Sequence, residues 1–110
     1  MLKDVVQAAR AQLRDVDLIG RYGGEEFVIV LPVTNAQQAY LLAERIRTSV
    51  AALRVETNTS PNVVTLSIGI AERIRTPQDE SVDDVIRRAD EAMYAAKQAG
   101  RNRTVIFGAA

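Results

Sequence analysis

Histidine and cysteine are both absent from the 110 residues. Without imidazole or thiolate there is no disulfide framework and no zinc-type ligation. Any metal this chain holds must then be a hard cation bound through oxygen, such as Mg²⁺ or Mn²⁺. A general base must be a carboxylate or water, and the lack of cysteine fits a cytosolic (cytoplasmic) location. An excess of either charge is missing too. Lys plus Arg and Asp plus Glu each number 14, and the pI is near 6.3. No overall field draws in nucleic acid or an anionic membrane, so nucleotide binding needs a local cluster. Lysine is scarce, with only Lys3 and Lys97 against twelve arginines. Arginine suits bidentate contact with phosphate or guanine, although solvated helix faces absorb most such residues. The longest apolar run, Phe27 to Leu31, is far too short to span a bilayer, and the N-terminus has no signal-peptide hydrophobic region. There is no internal repeat and no low-complexity segment. At 47% hydrophobic, the chain has enough apolar side chains for one modest core in a single domain.

Periodicity lays out the elements. Leu2, Val5, Val6, Ala9 and Leu13 recur at helical spacing and predict an amphipathic helix over 2–13. Residues 16–22 and 26–31 form the arms of a hairpin; the second arm is apolar on both faces, as in an inner strand, and Pro32 ends it. Asn35 with Gln38 has the form of a capping box. Ala39, Leu42, Ala43, Ile46, Val50 and Leu53 then make a helical stripe to about residue 53. Residues 55–62 are expected as a loop. Val63 to Ala71 alternates large with small side chains, predicting a strand with a close neighbour on one face. After a polar loop at Pro77–Glu80, Ser81 with Asp84 caps a last helix. Its stripe is Val82, Val85, Ile86, Ala89, Met93 and Ala96, Gly100 stops it, and Met93 and Tyr94 are expected in or near the core. Thr104 to Phe107 is a short final strand.

The densest chemistry lies at the hairpin tip, Gly23-Gly24-Glu25-Glu26-Phe27. Gly23 and Gly24 can take positive φ and let a bulky anion approach the backbone. Glu25 and Glu26 are adjacent carboxylates, and successive strand residues point to opposite faces. They share one site only if the tip is twisted or bulged. Solvated glutamates after a Gly-Gly turn also make an ordinary hairpin. Lys97 and Arg101 are cations at a helix C-terminus, where the macrodipole favours them with or without a ligand. Gly100 intervenes between them, so Arg101 is placed by the turn rather than by the helix. Arg14 and Asp17, an Arg-x-x-Asp just before the hairpin, make either a surface ion pair or a guanine-reading pair. An Arg fork suits O6 and N7, and a carboxylate accepts from ring N–H and amino donors.

Several separate segments, in order, are similar to one family. Arg21-Tyr22 leads into the Gly-Gly-Glu-Glu-Phe pentapeptide, Val64 to Ala71 matches a later strand, and Ala89 to Arg103 matches a C-terminal helix with the turn after it. From near residue 2 to about residue 107 the chain resembles the GGDEF diguanylate cyclases, with Glu in the third motif position. The resemblance implies an α+β fold, a nucleotidyl-cyclase-like (ferredoxin-like) sheet flanked by helices. It also implies the condensation of two GTP molecules into cyclic di-GMP and two pyrophosphates. By the same resemblance, Glu25 and Glu26 ligate metal, Mg²⁺ or Mn²⁺, and one of them serves as base. Gly23 and Gly24 carry the backbone past the triphosphate, Lys97 and Arg101 contact phosphate, and Arg14 with Asp17 is the allosteric site where product inhibits. Each subunit presents one GTP, so a homodimer is needed for catalysis. A sensory or regulatory domain is expected in the parent protein, with no nucleic acid partner and no membrane contact from this segment.

The chain departs from the family at its start. The family's first strand, part of its first helical region and an Asp-rich segment carrying a metal ligand and guanine-holding residues have no counterpart. The expectation is a single partial GGDEF domain over 1–110, inactive by itself, with the gap filled by another chain. The alternative is a non-catalytic module that binds cyclic di-GMP through Arg14 and Asp17.

Overall fold

A computed structural model of the chain describes residues 2–23, 26–56, 61–73, 78 and 80–108. Helix α1 covers Leu2–Arg10 and is followed by an antiparallel hairpin, β1 Leu18–Gly23 and β2 Glu26–Val30. Next come helix α2 at Ala36–Ala51, a short pair β3 Arg54–Glu56 and β4 Pro61–Val63, and strand β5 at Ser67–Ile70. Helix α3 at Val82–Gln98 leads to β6 at Arg103–Ile106, which lies parallel to β5. The result is the α+β architecture the sequence implied.

Both long helices begin as their caps dictate. Asn35 accepts from the Gln38 backbone N–H while the Gln38 side chain accepts from the Asn35 N–H, and Ser81 with Asp84 repeats the arrangement. Each box satisfies two helix-terminal donors that otherwise lack partners. At α2 a third donor, the Ala36 N–H, is bonded by the Glu72 carboxylate at 2.6 Å.

The core forms where α1, α2 and one face of the hairpin meet. Val5 and Ala9 of α1 pack with Ile46 and Val50 of α2, and Leu13, Ile19, Ile29, Leu42 and Leu66 close around them. Val50 is fully buried, a burial that stabilises by about 1.5–3 kcal/mol. A second packing unit joins α3 to β5 and β6. There Ala92, Ala96 and Ile70 are buried, and Gly69 lies directly against the α3 backbone at Ala89 and Met93. Arg88 fastens the preceding loop to α3. It pairs with the buried Glu80, donates to the Glu72 carbonyl at 3.1 Å and lies 5.8 Å from the centre of the Phe107 ring.

The structure corrects four expectations. Residues 55–62 are not simply a loop, because β3 and β4 pair there with Glu56 opposite Pro61; proline is tolerated because a strand at a sheet edge can forgo its N–H. The strand expected over 63–71 is broken, since 64–66 leave the ladder and Val64 and Leu66 turn to the core. Val82 and Tyr94 are exposed, Val82 because it opens α3 at the helix's N-terminal end and Tyr94 because it lies on the side of α3 away from the buried Ala92 and Ala96. The expected inner strand β2 pairs only with β1 among the described residues, and Leu18 and Val30 stay exposed on the hairpin's outer face.

Candidate functional site

The hairpin tip is bulged. Partners run in register from Leu18 opposite Val30 to Arg21 opposite Phe27, and then Gly23 stands opposite Glu26, leaving Tyr22 as an extra residue. Gly23 has φ 142° and nothing within 4 Å of where a Cβ would stand, so the backbone here is open to a bulky ligand. Glu26 is half-buried, and its carboxylate makes no hydrogen bond or ion pair with any described residue. Gly24 and Glu25 lie outside the described residues. Among those described, no three acidic side chains converge into a cage for an ion. A single unengaged carboxylate beside an open backbone does suit Mg²⁺, which keeps most of its waters and is commonly held by one or two carboxylates plus substrate phosphates.

Lys97 and Arg101 stand elsewhere, on the last turn of α3 and in the turn that follows. No hydrogen bond or ion pair joins them to the hairpin among the described residues. The helix ends with the Ala99 N–H on the Ala95 carbonyl at 2.9 Å, and the Arg101 N–H reaches back to the Ala96 carbonyl at 2.9 Å. Gly100 at φ 123°, Arg101 at 64° and Asn102 at 48° form a continuous left-handed run. Gly100 predicts that Arg101 lies in the turn rather than on the helix, and the backbone places it there.

What sequence reasoning missed is the group that grips this turn from α2. Arg47 donates to the Asn102 side-chain oxygen at 2.9 Å, while its other donors, at 2.7 Å each, reach both oxygens of Glu44. Glu44 also accepts from the Thr104 hydroxyl at 2.7 Å. The Arg47 hydrogen bonds hold the Glu44 carboxyl down at about 2, against an ordinary 4.5. The Glu-x-x-Arg spacing on one helix face was visible; its partner 55 residues away was not.

Arg14 and Asp17 are brought together closely. Arg14 Nη2 lies 2.8 Å from Asp17 Oδ1, Nε lies 3.2 Å from Oδ2, and the Arg14 backbone N–H donates to Oδ2 at 2.8 Å. Nη2 also donates to the Pro32 carbonyl and the Thr34 hydroxyl, each at 3.0 Å. The guanidinium holds the Asp17 carboxyl below its ordinary range, and the carboxylate in turn raises Arg14. Beside this pair lies a groove of about 230 Å³, smaller than a typical drug-sized pocket of about 300 Å³ or more, so it admits a fragment such as one base. Leu31 and Leu42 supply apolar lining, Gln38 a polar group, and Arg45 a second cation that sequence reasoning did not single out. Its signal was an arginine one turn after Leu42, on the flank of the α2 stripe.

Comparisons with known proteins agree with one another. The family described as "Diguanylate cyclase, GGDEF domain" matches residues 1–103. The diguanylate cyclase DgcP of Pseudomonas aeruginosa is 40% identical over 103 residues, which is 94% of this chain and 15% of that protein. In a crystal structure of the diguanylate cyclase SiaD with its activator SiaC, also from Pseudomonas aeruginosa, the match covers 96% of this chain and 39% of that one, at 40% identity and TM-score 0.85. The GGDEF domain of DgcB from Caulobacter crescentus, solved in complex with c-di-GMP, matches 98% of this chain and 63% of its own, at 32% identity and TM-score 0.88. The chain thus spans less than a third of the curated relatives it matches first, at 15% and 28% of their length.

Proposed function

The chain belongs to the GGDEF family of diguanylate cyclases, and from that premise we propose that it forms part of a catalytic domain condensing two GTP molecules into cyclic di-GMP. In this reaction the 3′-hydroxyl of each GTP attacks the α-phosphate of the other and two pyrophosphates leave. The observation that carries the reading is the bulged tip, where Gly23, with open space beside its backbone, is the register partner of Glu26, whose carboxylate is unengaged.

Each residue has a physical task. Gly23 and Gly24 let the triphosphate lie against the backbone, where a Cβ would stand in its way. Glu25 and Glu26 hold Mg²⁺ or Mn²⁺, and one of them takes the proton of the attacking hydroxyl. The ion, when bound, supplies charge neutralisation on the phosphates and acidifies the hydroxyl. Lys97 and Arg101 contribute charge-assisted hydrogen bonds to phosphate oxygens. Because each domain carries one GTP, two domains face each other in a symmetric homodimer. The isolated 110 residues are expected to be inactive, since among the described residues β2 pairs with β1 alone. A sensory or regulatory domain elsewhere in the protein would set the activity, and a GTP-consuming reaction fits the cytoplasm. Product formation from GTP and Mg²⁺ tests the proposal, with Glu25→Ala as control. Cyclic di-GMP made by the full-length protein and lost in the variant supports it. Activity retained in Glu25→Ala rejects the metal and base roles.

The groove beside Arg14 and Asp17 supports a regulatory role in the same protein, as an inhibitory site taking a guanine base of the product. A purely receptor-like module would bind cyclic di-GMP there and make none. Titration with cyclic di-GMP of the wild type and Arg14→Ala separates these from no binding at all. Unchanged affinity in the variant removes Arg14 from the site.

A further inference from the structure

We infer that Arg47 and Asn102 are positioning residues that aim Arg101 at the phosphates of the bound nucleotide. The inference deepens the proposed function and rests on its assignment of Arg101 to phosphate. Three observations carry it. First, Arg101 and Asn102 are successive non-glycine residues in the left-handed region, at φ 64° and 48°. Such conformations are costly and persist only where the surroundings over-determine them, a pattern concentrated at ligand clamps.

Second, the turn is over-determined from outside α3. Arg47 of α2 donates to the Asn102 side-chain oxygen at 2.9 Å, Glu44 fixes Arg47 through two bonds of 2.7 Å, and Arg103 donates to the Arg101 carbonyl at 3.1 Å. The Arg47 side chain is only 19% exposed, so its charge is directed inward by Glu44 rather than left to wander in solvent. Third, everything that is fixed about Arg101 is its backbone. Its side chain is exposed, and its guanidinium makes no hydrogen bond or ion pair with any described residue. A strained backbone held by a distant helix, with an unengaged cationic head, is what preorganised anion binding requires. Loss of the clamp lets the turn relax and spreads Arg101 over many directions, which weakens binding without removing the charge.

The test is GTP binding at equilibrium, read by calorimetry on the full-length protein with the melting temperature followed in parallel. Arg101→Ala should weaken GTP about tenfold or more, as expected for a lost charge-assisted bond. Arg47→Ala and Asn102→Gly should each weaken it about threefold or more. Glycine at 102 keeps the positive φ accessible, so this variant remains folded even if Arg47→Ala does not. Combined with Arg101→Ala, neither clamp variant should cause further loss, because both act through the same side chain. Wild-type affinity in Asn102→Gly alongside weakened Arg101→Ala overturns the inference. So do losses that multiply in the double variants. Wild-type affinity in Arg101→Ala overturns the phosphate assignment itself, and the inference with it.

Discussion

Replacing Gly69 by alanine should be among the most damaging single-methyl additions this chain can receive. A Cβ at Gly69 would lie 2.9 Å from the Met93 Cα and closer still to the Ala89 carbonyl oxygen and the Met93 nitrogen. All three are α3 backbone, so no side chain can rotate away. Strand β5 and helix α3 must separate by about 1 Å or more to restore ordinary contact, and the move loosens Ile70, Ala92 and Ala96, which are at most 9% exposed. Overpacking of a close-packed core costs about 1–3 kcal/mol, and an immovable obstacle places this site at the upper end. Against a total stability of about 5–15 kcal/mol, a loss of about 3 kcal/mol lowers the melting temperature by roughly 10–20 °C. Gly20→Ala is the matched control, since nothing lies within 4 Å of its added Cβ, and it should change stability by no more than about 0.5–1 kcal/mol. Urea denaturation followed by circular dichroism measures both. Equal midpoints for the two variants would refute the close approach of β5 to α3.

Acid should act measurably through Glu44. Its carboxyl is held at about 2 instead of 4.5, so the pair's stabilisation is complete above about pH 4.5 and lost as pH falls toward 2. After allowance for solvent screening it is on the order of 1 kcal/mol. Urea midpoints for wild type and Glu44→Gln should converge over that window, and a constant gap between them would count against the linkage. Removing either cap, by Asn35→Ala or Ser81→Ala, should cost about 1 kcal/mol each by the same assay. The double variant should show the sum, because the two caps start different helices.

Much of this fold was legible because its signals are local. The capping pairs Asn35–Gln38 and Ser81–Asp84 are three residues apart, and both form as their chemistry requires. The small residues interleaved through 65–71 announced a close neighbour on one face, and at Gly69 that neighbour is the α3 backbone. The turn placement of Arg101 followed from Gly100 alone. What failed depended on partners remote in the sequence. A Pro61-containing segment looks like a loop until Glu56 pairs with it, and the apolar second arm looks like an inner strand although among the described residues it pairs with β1 alone. The Arg47–Asn102 contact crosses 55 residues, and no pattern within either segment hints at it.

The two candidate phosphate- and base-reading arginines are held in opposite ways, and the difference predicts a sign. Arg101 is restrained through its backbone and keeps its guanidinium unengaged, whereas Arg14 spends its Nε and Nη2 on Asp17 and shares Nη2 with Pro32 and Thr34. A bidentate contact with guanine O6 and N7 needs two adjacent donors on one edge of the guanidinium. Both edges of Arg14 include Nη2, so a base can be read in that way only after some of these bonds are released. The Thr34 hydroxyl is one of the groups holding the closed pose. Thr34→Val removes that acceptor at nearly constant shape and withdraws a bond worth about 1 kcal/mol from the unliganded state. If Arg14 reads the base, cyclic di-GMP should therefore bind about fivefold tighter to Thr34→Val, as measured by calorimetry on the full-length protein, while Arg14→Ala binds more weakly. Weaker binding in both variants would mean that Thr34 presents Arg14 to the ligand instead of competing with it, and the closed pair would then be the binding-competent form.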